Sequence, residues 1–337
     1  MKNVLITGIT GMVGSHLADF LLANTDWKLY GFCRWNDNLE NLEHLSDRIN
    51  RKDRLELIYG DLNDSFSVIN AVELSKPGYV FHLAAQSYPK TSFVAPIDTL
   101  QTNVLGTTNL FEAIKNSKYK NAFIHNCSSS EIFGRVSKEK LPIDEECSFH
   151  CASPYSISKA GADLLGRYYA EAYNMNVVTT RMFTHTGPRR GDVFHESTFA
   201  KQIAMIEAGL QEPKIYVGNL QSLRTYADVR DAVRAYHMLL TINPIRGEYY
   251  NIGGEYTCTV EETLYHLVRL SSYPNTIEII SDQERFRPID ADLQLPNTTK
   301  FRKHTGWKPE IFYETTMLDL LNYWRDKVGS GRKFLKR

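Results

Sequence analysis

No stretch of the 337-residue chain approaches the ~20 consecutive apolar residues that a bilayer-spanning helix needs. Ahead of Gly8 the only apolar run is Val4-Leu5-Ile6, too short for the apolar region of a secretory signal. Net charge is also missing: 39 basic and 39 acidic residues cancel. No global field therefore draws in nucleic acid or an anionic membrane, and any anion must be met by local basic groups. Cysteine is sparse. Cys33, Cys127, Cys147, Cys151 and Cys258 are odd in number and form no CxxC pair. Cys147 and Cys151 flank His150, but a second ligand pair is lacking, so free thiols are expected rather than a metal site. Internal repeats and low-complexity segments are absent too. These absences imply a cytoplasmic protein with free thiols in a reducing compartment.

What is present is an ordinary soluble composition, 42% hydrophobic and 23% charged, arranged in a rhythm. Short apolar runs at Val4–Ile6, Lys28–Cys33, Leu55–Tyr59, Tyr79–Leu83, Ala122–Cys127 and Val177–Thr180 read as strands. Helical patterns fall between them, around Leu17–Leu22, Asn38–Asn50, Thr102–Asn116 and after Ser153-Pro154. This alternation predicts an α/β fold, a doubly wound parallel Rossmann sheet covered on both faces. Beyond residue 183 the rhythm loosens. Helices are expected at Thr198–Ala208, Asp228–Leu240, Val260–Ser271 and Thr315–Asp326, with strands at Lys214–Val217 and Glu248–Ile252. The division expected is a dinucleotide-binding domain over 1–183 and a smaller α/β substrate-binding part over 184–337, with some chain exchange between them.

Gly8-Ile9-Thr10-Gly11-Met12-Val13-Gly14 follows the first strand and opens a helix. Glycines there let the backbone approach a pyrophosphate, whose charge the helix N-terminus stabilises. The same pattern can mark a mere tight turn, but its position between strand and helix favours the dinucleotide. The second strand ends Gly31-Phe32-Cys33-Arg34-Trp35. An acidic residue at this point would bind the ribose 2′-hydroxyl of NAD. Arg34 instead offers a planar donor fork for a 2′-phosphate, so NADP is expected over NAD; a solvated surface arginine is the bland alternative. Asp61-Leu62 and Leu83-Ala84-Ala85-Gln86-Ser87 close the third and fourth strands and should flank the same cofactor.

Ser153 suits an N-cap and Pro154 the first helical position. Tyr155 and Lys159 then share a helix face at i and i+4. A nearby ammonium and an oxidised nicotinamide would favour phenolate, letting the tyrosine deprotonate an alcohol as hydride leaves its carbon. Ser129 and Glu131 follow the fifth strand, at the ligand edge of such a sheet. A hydroxyl can bond the reacting oxygen. A carboxylate is superfluous for alcohol oxidation but suits proton removal beside a carbonyl; pairing with a lysine or with water is the commoner fate of a glutamate.

Taken in order, these residues resemble the extended short-chain dehydrogenase/reductase superfamily, and within it the GDP-mannose 4,6-dehydratases and their GDP-sugar relatives. The resemblance spans nearly the whole chain, including Gly8–Gly14, Ser129-Ser130-Glu131 with Gly134, Tyr155/Lys159, Pro188-Arg189-Arg190-Gly191, Gly218-Asn219-Leu220, Arg287-Pro288 and Gly306-Trp307-Lys308-Pro309. It implies a redox-neutral cycle on a GDP-linked sugar. Tyr155, held by Lys159, would take the proton of the 4-hydroxyl as NADP+ takes hydride from C4. Glu131 would remove the C5 proton and help expel the C6 hydroxyl as water, and hydride would return to C6. The product would be a 4-keto-6-deoxy sugar. The resemblance adds cofactor contacts from His185 and Arg190, diphosphate contacts from Arg224 and Lys201, guanine and ribose contacts from Arg287 and Asp290, and sugar-side positions at Ser87 and Thr184. It also implies a homodimer through helices around Thr102–Asn116 and Pro154–Tyr173, or a homotetramer through Asn36–Asp53.

Some residues depart from the mannose enzymes. Met12-Val13 replace a polar-acidic pair, Trp35 a second arginine, Phe133 a tyrosine, Thr184 an asparagine and Thr186 an acidic residue. Mannose, N-acetylglucosamine and a heptose therefore all remain open as the sugar. Phe199-Ala200-Lys201-Gln202-Ile203 is similar to GDP-4-keto-6-deoxymannose reductases, which can carry a similar Ser-Ser-Glu segment; Glu131 therefore does not exclude a reductase, and an NADPH-dependent reductase or an epimerase is the alternative. A non-catalytic cofactor-binding scaffold is disfavoured by the complete Ser129/Tyr155/Lys159 set.

Overall fold

The computed structural model describes residues 2–331, and a seven-stranded parallel sheet lies at its centre. Its strands are β1 (Asn3–Thr7), β2 (Lys28–Cys33), β3 (Leu55–Tyr59), β4 (Tyr79–His82), β5 (Phe123–Cys127), β6 (Asn176–Met182) and the late segment Tyr249–Ile252. From one edge to the other the order is Tyr249–Ile252, β6, β5, β4, β1, β2, β3. The chain runs outward from β1 to β3, then crosses back to lay β4 on the other side of β1. The connections leaving β1 and β4 diverge, and a ligand crevice opens at that reversal.

The strands are apolar on both sides because both sides are covered. Val4 and Ile6 of β1 enter one core with Leu17 and Leu21 of the helix Met12–Asn24. Leu5 points the other way, into a core with Val68, Val72, Leu110 and Ile114. A third core, built on Phe199, Ile203, Leu264, Met317 and Leu321, holds the later helices together.

The chain returns to the large sheet later than its rhythm suggests. Tyr249–Ile252 pairs in parallel with β6, Tyr250 opposite Thr180. The helix Val229–Thr241 buries Val233, Tyr236 and Leu240 in the core that contains Leu17 and Leu21. A strand on the outer side of β6 satisfies backbone groups that would otherwise form an open edge. The expected Asn38–Asn50 helix is instead a 3₁₀ turn, Glu40–Leu45, followed by the helix Ser46–Arg51. The expected Thr102–Asn116 helix starts as a π-helical turn, Gln101–Leu105, before Gly106–Lys115.

Three short strands, His185–Thr186, Tyr256–Thr259 and Leu293–Gln294, gather on the strand Leu223–Asp228. The last two and Leu223–Asp228 carry no clear apolar signal. Leu223–Asp228 reads Leu-Arg-Thr-Tyr-Ala-Asp, yet Arg224 and Asp228 are buried. The strand works because their polar groups are met internally. Arg224 Nη1 donates to the Ala291 carbonyl at 2.7 Å, and Asp228 Oδ1 accepts from the Arg230 amide at 2.7 Å.

One buried ion pair joins the large sheet to the helix Pro154–Tyr173. Arg181 of β6 donates from Nε and Nη2 to the two Asp163 carboxylate oxygens at 2.8 and 2.9 Å. Its Nη1 reaches the Glu145 carbonyl at 2.6 Å, and Tyr249 lies against the guanidinium plane at 4.3 Å. Removing one member strands the other charge in a dry interior. Asp163→Ala should therefore cost about 3–5 kcal/mol, read as a lowered urea midpoint; an unchanged midpoint would contradict this.

Candidate active site

The crevice at the strand reversal is made by an absence of side chains. Gly8, at φ +73°, lies so close to the exit of β4 that a Cβ there would stand 2.8 Å from the Ala84 backbone. A Cβ on Gly14 would meet the Gly8 carbonyl oxygen at 2.3 Å. The N-terminus of the helix Met12–Asn24 can thus come down onto the end of β1, with its amides facing the crevice. Thr7 holds the other wall. Its Oγ1 accepts from the amides of Leu83 and Ala84, both at 3.2 Å, and bonds His82 Nδ1 at 2.9 Å. His82 Nε2 lies 2.9 Å from Thr107 Oγ1, whose own proton goes to the Asn103 carbonyl. Donor counting then puts the histidine proton on Nε2 and makes Nδ1 the acceptor from Thr7.

A cavity of about 970 Å³ runs from this cradle towards the later helices. Gly8, Thr10, Gly11, Met12, Val13 and Gly14 line one end, with Arg34, Asp61 and Leu62 beside them. Leu83, Ala84, Ala85 and Ser87 line the stretch leaving β4. Ser129, Glu131, Tyr155, Lys159, Thr184, His185 and Arg190 follow, and Lys201, Arg224 and Arg287 complete the lining. The cradle with its helix amides fits a dinucleotide pyrophosphate. Asp290 alone among the expected residues does not line the cavity. It stands behind Arg287, 3.4 Å from Nη1, and accepts from Asn219 Nδ2 at 3.1 Å.

Tyr155 and Lys159 are set by a well-made helix start. Ser153 Oγ accepts from the Ser156 amide at 3.0 Å, and Ser156 Oγ accepts from the Ser153 amide at 2.9 Å. This reciprocal cap, with Pro154 at the first position, fixes where the helix begins. Ser129 Oγ in turn accepts from the Glu131 amide at 3.2 Å, orienting the Ser129–Glu131 turn beside Tyr155. Burial pushes the Tyr155 phenol up; its hydrogen bond with Ser129 and the charge of Arg190 act in the opposite direction. The ammonium expected to lower it is engaged elsewhere: Lys159 Nζ donates to the Cys127 carbonyl at 2.5 Å. Burial draws the Lys159 ammonium down, while Cys127 and Asp163 hold it up.

Sequence reading missed four contributors. Asn103, rotated inward by the π-helical turn, accepts from the Gln86 amide at 2.8 Å. Its amide donates to the Gln86 carbonyl at 2.9 Å and to Ser158 Oγ at 2.8 Å, tying the Ala85–Ser87 turn to the Tyr155 helix. Asp37 closes on Arg34 at the second-strand end of the cavity. His195 and Glu196 line the basic end, where Glu196 Oε1 accepts from Arg190 Nε at 3.2 Å and His195 Nε2 lies 2.7 Å from the Tyr226 hydroxyl. Burial brings His185 and His195 down to about 4. None of the four sits in a motif; only Asp37, shortly after the second strand, had a positional signal.

The neutral histidines under the site make folding pH-dependent. Burial lowers His82 and His125 to about 3, whereas an unfolded histidine titrates near ~6.5. Between these values the unfolded chain binds more protons, so stability is complete above ~6.5 and falls as pH drops, by about 1.4 kcal/mol per pH unit for each. Calorimetry should show a flat melting temperature above pH ~7 and a decline already between ~6.5 and 5, ahead of the carboxylate range. A melting temperature constant down to pH ~5 would disprove the coupling.

A doubly wound parallel sheet, a glycine cradle at its reversal point and a Tyr/Lys pair in one cavity define a nicotinamide-dependent enzyme of the extended short-chain dehydrogenase/reductase type. More narrowly, the chain belongs to the GDP-mannose 4,6 dehydratase family, whose model matches residues 5–320. It is 30% identical to the GDP-6-deoxy-D-mannose reductase of Pseudomonas aeruginosa over 328 residues, 97% of this chain and 98% of that protein. It is 33% identical to GDP-mannose 4,6 dehydratase 1 of Arabidopsis thaliana over 324 residues, 93% of this chain and 87% of that protein. Among solved structures, that of RMD from Pseudomonas aeruginosa complexed with NADPH superposes with a TM-score of 0.82 at 29% identity, covering 97% of this chain and 100% of that one. Among the described residues no helix is long and apolar enough to cross a membrane, and no acid, histidine and cysteine cluster could hold a metal ion.

Proposed function

We propose that the protein is a GDP-sugar 4,6-dehydratase acting on a GDP-linked mannose, N-acetylglucosamine or heptose. The observation that carries this is Glu131, which lines the cavity with Ser129, Tyr155 and Lys159. A carboxylate at this point has a task in an elimination, although reductases of GDP-4-keto sugars can carry a similar Ser-Ser-Glu segment. A nicotinamide dinucleotide, when bound, supplies the hydride acceptor for C4 and the donor for C6. Tyr155 takes the 4-hydroxyl proton, with Ser129 bonded to the same oxygen. Lys159, anchored on the Cys127 carbonyl, keeps a positive charge beneath the pair. Glu131 removes the proton at C5, made acidic by the adjacent ketone, and returns it to the departing C6 hydroxyl. The carboxylate ends this step as it began; as C6 receives hydride, C5 takes up a proton from solvent, and Tyr155 releases to solvent the proton it took from the 4-hydroxyl. Thr184 and Ser87 face the sugar, Lys201 and Arg224 the diphosphate, and Arg287, backed by Asp290, the nucleoside. Gly8–Gly14, Asp61-Leu62, Leu83–Ala85, His185 and Arg190 hold the cofactor. Arg34 favours NADP, in keeping with the NADPH complex of the Pseudomonas aeruginosa relative.

A reductase of GDP-4-keto sugars is the second reading. It is favoured by the Pseudomonas aeruginosa GDP-6-deoxy-D-mannose reductase, matched along nearly the full length of both chains, and by Phe199–Ile203.

A panel of GDP-sugars followed by mass spectrometry separates the two. A dehydratase loses water from one sugar, incorporates solvent deuterium at C5 and consumes no NADPH. Glu131→Gln should slow water loss by about 10²–10⁴-fold, the usual contribution of a general base, without lowering the melting temperature. Stoichiometric NADPH oxidation with a 4-keto sugar, and no water loss from any GDP-hexose, would establish the reductase instead.

Leu105, Ile157 and Leu164 are all more than half exposed on the two helices near Gly106–Lys115 and Pro154–Tyr173. Apolar residues left open there support a homodimer through this face. Sedimentation should show a dimer or a tetramer, and Leu164→Glu should shift it towards monomer; a monomeric wild type would refute the assembly.

A further inference from the structure

The last helix, Tyr313–Gly329, brings Tyr323, Trp324 and Lys327 to the cavity wall, and no step of the proposed reaction uses them. Lys327 Nζ donates to Glu40 Oε1 at 2.6 Å, a partner 287 residues away in the chain. The Lys327 side chain is 14% exposed and that of Glu40 25%. The same ammonium lies 5.0 Å from the centre of the Trp324 ring and 5.4 Å from that of Tyr323, so a carboxylate and two aromatic faces hold one cation in place. Glu40 is anchored in turn. Its neighbour Asn41 donates from Nδ2 to the Thr10 carbonyl, inside the glycine cradle, at 2.9 Å. A second tie runs beside the first. Arg189 Nη1 donates to Asp19 Oδ2 at 2.7 Å, and His44 Nε2 lies 2.7 Å from Asp19 Oδ1. Asp19 belongs to the helix Met12–Asn24, whose N-terminus forms part of the cradle.

Glu40, Asn41, Arg189 and Lys327 line the cavity together with Gly11, Met12 and Val13. The ties therefore join the two walls of the cavity next to the helix amides that would meet a pyrophosphate. Each end of the Lys327–Glu40 tie is rooted in a different core. Leu42 and Leu45 belong to the core on the large sheet, and Leu321 and Trp324 to the core of the later helices. Parting the two charged groups leaves both cores whole. An ion pair of this kind, partly open to water, is weak enough to break and reform without unfolding.

We propose that the Lys327–Glu40 pair, backed by Arg189–Asp19, is a latch across the cavity that must open for the dinucleotide to enter or leave. This rests on the cradle being the dinucleotide site, not on which reaction follows. Stopped-flow fluorescence tests it, with whichever of NADPH and NADH binds more tightly. Mixing with free protein reads entry, and a chase with excess oxidised dinucleotide reads exit. Glu40→Gln and Lys327→Gln should each speed both by about three- to tenfold, the range open to a partly exposed ion pair. The tie contains no group assigned to the cofactor, so the dissociation constant should move by less than about threefold. The double change Glu40→Lys with Lys327→Glu should bring both rates back towards wild type, which lost packing alone would not do. Asp19→Asn, at the second tie, should act in the same direction as the single changes, and thermal melting checks the fold of each variant. Rates that all these variants leave unmoved overturn the latch and leave the dehydratase reading intact. A weakened affinity with unchanged entry also overturns it, by making Lys327 a direct phosphate contact. Binding of neither dinucleotide overturns the latch and the cofactor reading together.

Discussion

Everything in this site depends on the backbone of Gly8 touching the backbone of Ala84. The two follow the ends of neighbouring strands, β1 and β4, whose connections leave in opposite directions. Any side chain at Gly8 would need space that the Ala84 main chain occupies. That contact sets the width of the crevice, the height of the helix amides above it and the path of Leu83–Ser87 along its wall. Thr7 and His82 reinforce it from below with a fully assigned set of hydrogen bonds. His82 can do so only as a neutral ring, since burial strips it of charge. The cofactor cradle and the acid sensitivity of the fold therefore have one cause.

From the cradle the influence passes sideways. Asn103 carries it from Gln86 to Ser158, one residue before Lys159. The reciprocal serine cap carries it to Tyr155. The Arg181–Asp163 pair pins the same helix to β6 one turn further on. Tyr155 is thus held by several independent supports in a dry setting, and that setting opposes its ionisation. A phenol poised in this way gives up its proton when a positive charge arrives close by, which ties proton removal to the occupied, oxidised site.

Most of the large sheet was legible because its signals are local. Val4–Ile6, Lys28–Cys33 and Leu55–Tyr59 are continuous apolar runs, and a strand buried on both faces has to be one. The cavity lining was legible for a related reason: residues at strand ends share an edge whatever lies between them. What escaped detection was set by distance. The Tyr249–Ile252 strand was expected as a strand, but not its place beside β6, some seventy residues earlier in the chain. Arg224 and Asp228 disguise a buried strand because their partners come from elsewhere. Asn103 faces inward only because a π-helical turn rotates it, and the sequence Gln-Thr-Asn-Val-Leu announces no such turn. Asp290 was expected at the ligand, yet three residues of spacing let it reach Arg287 first.

The zero net charge of the chain reappears inside the cavity as a pattern. Arg34 is held by Asp37, Arg190 by Glu196, Lys201 by Asp192, Arg287 by Asp290 and Lys327 by Glu40. A cavity suited to a dinucleotide and a nucleoside diphosphate sugar, each rich in phosphate, is thus lined largely by cations that already have carboxylate partners, while Lys159 and Arg224 bond to main-chain carbonyls. Unpartnered, these cations would repel one another across the cavity and bind any polyanion. Partnered, each yields only to a ligand that offers a better-placed anion and leaves the carboxylate something to accept. Hydroxyls of a ribose or a hexose meet that second condition. The pairing therefore turns general attraction for anions into recognition of phosphate and hydroxyl side by side, which is the chemistry common to sugar nucleotides and their cofactors.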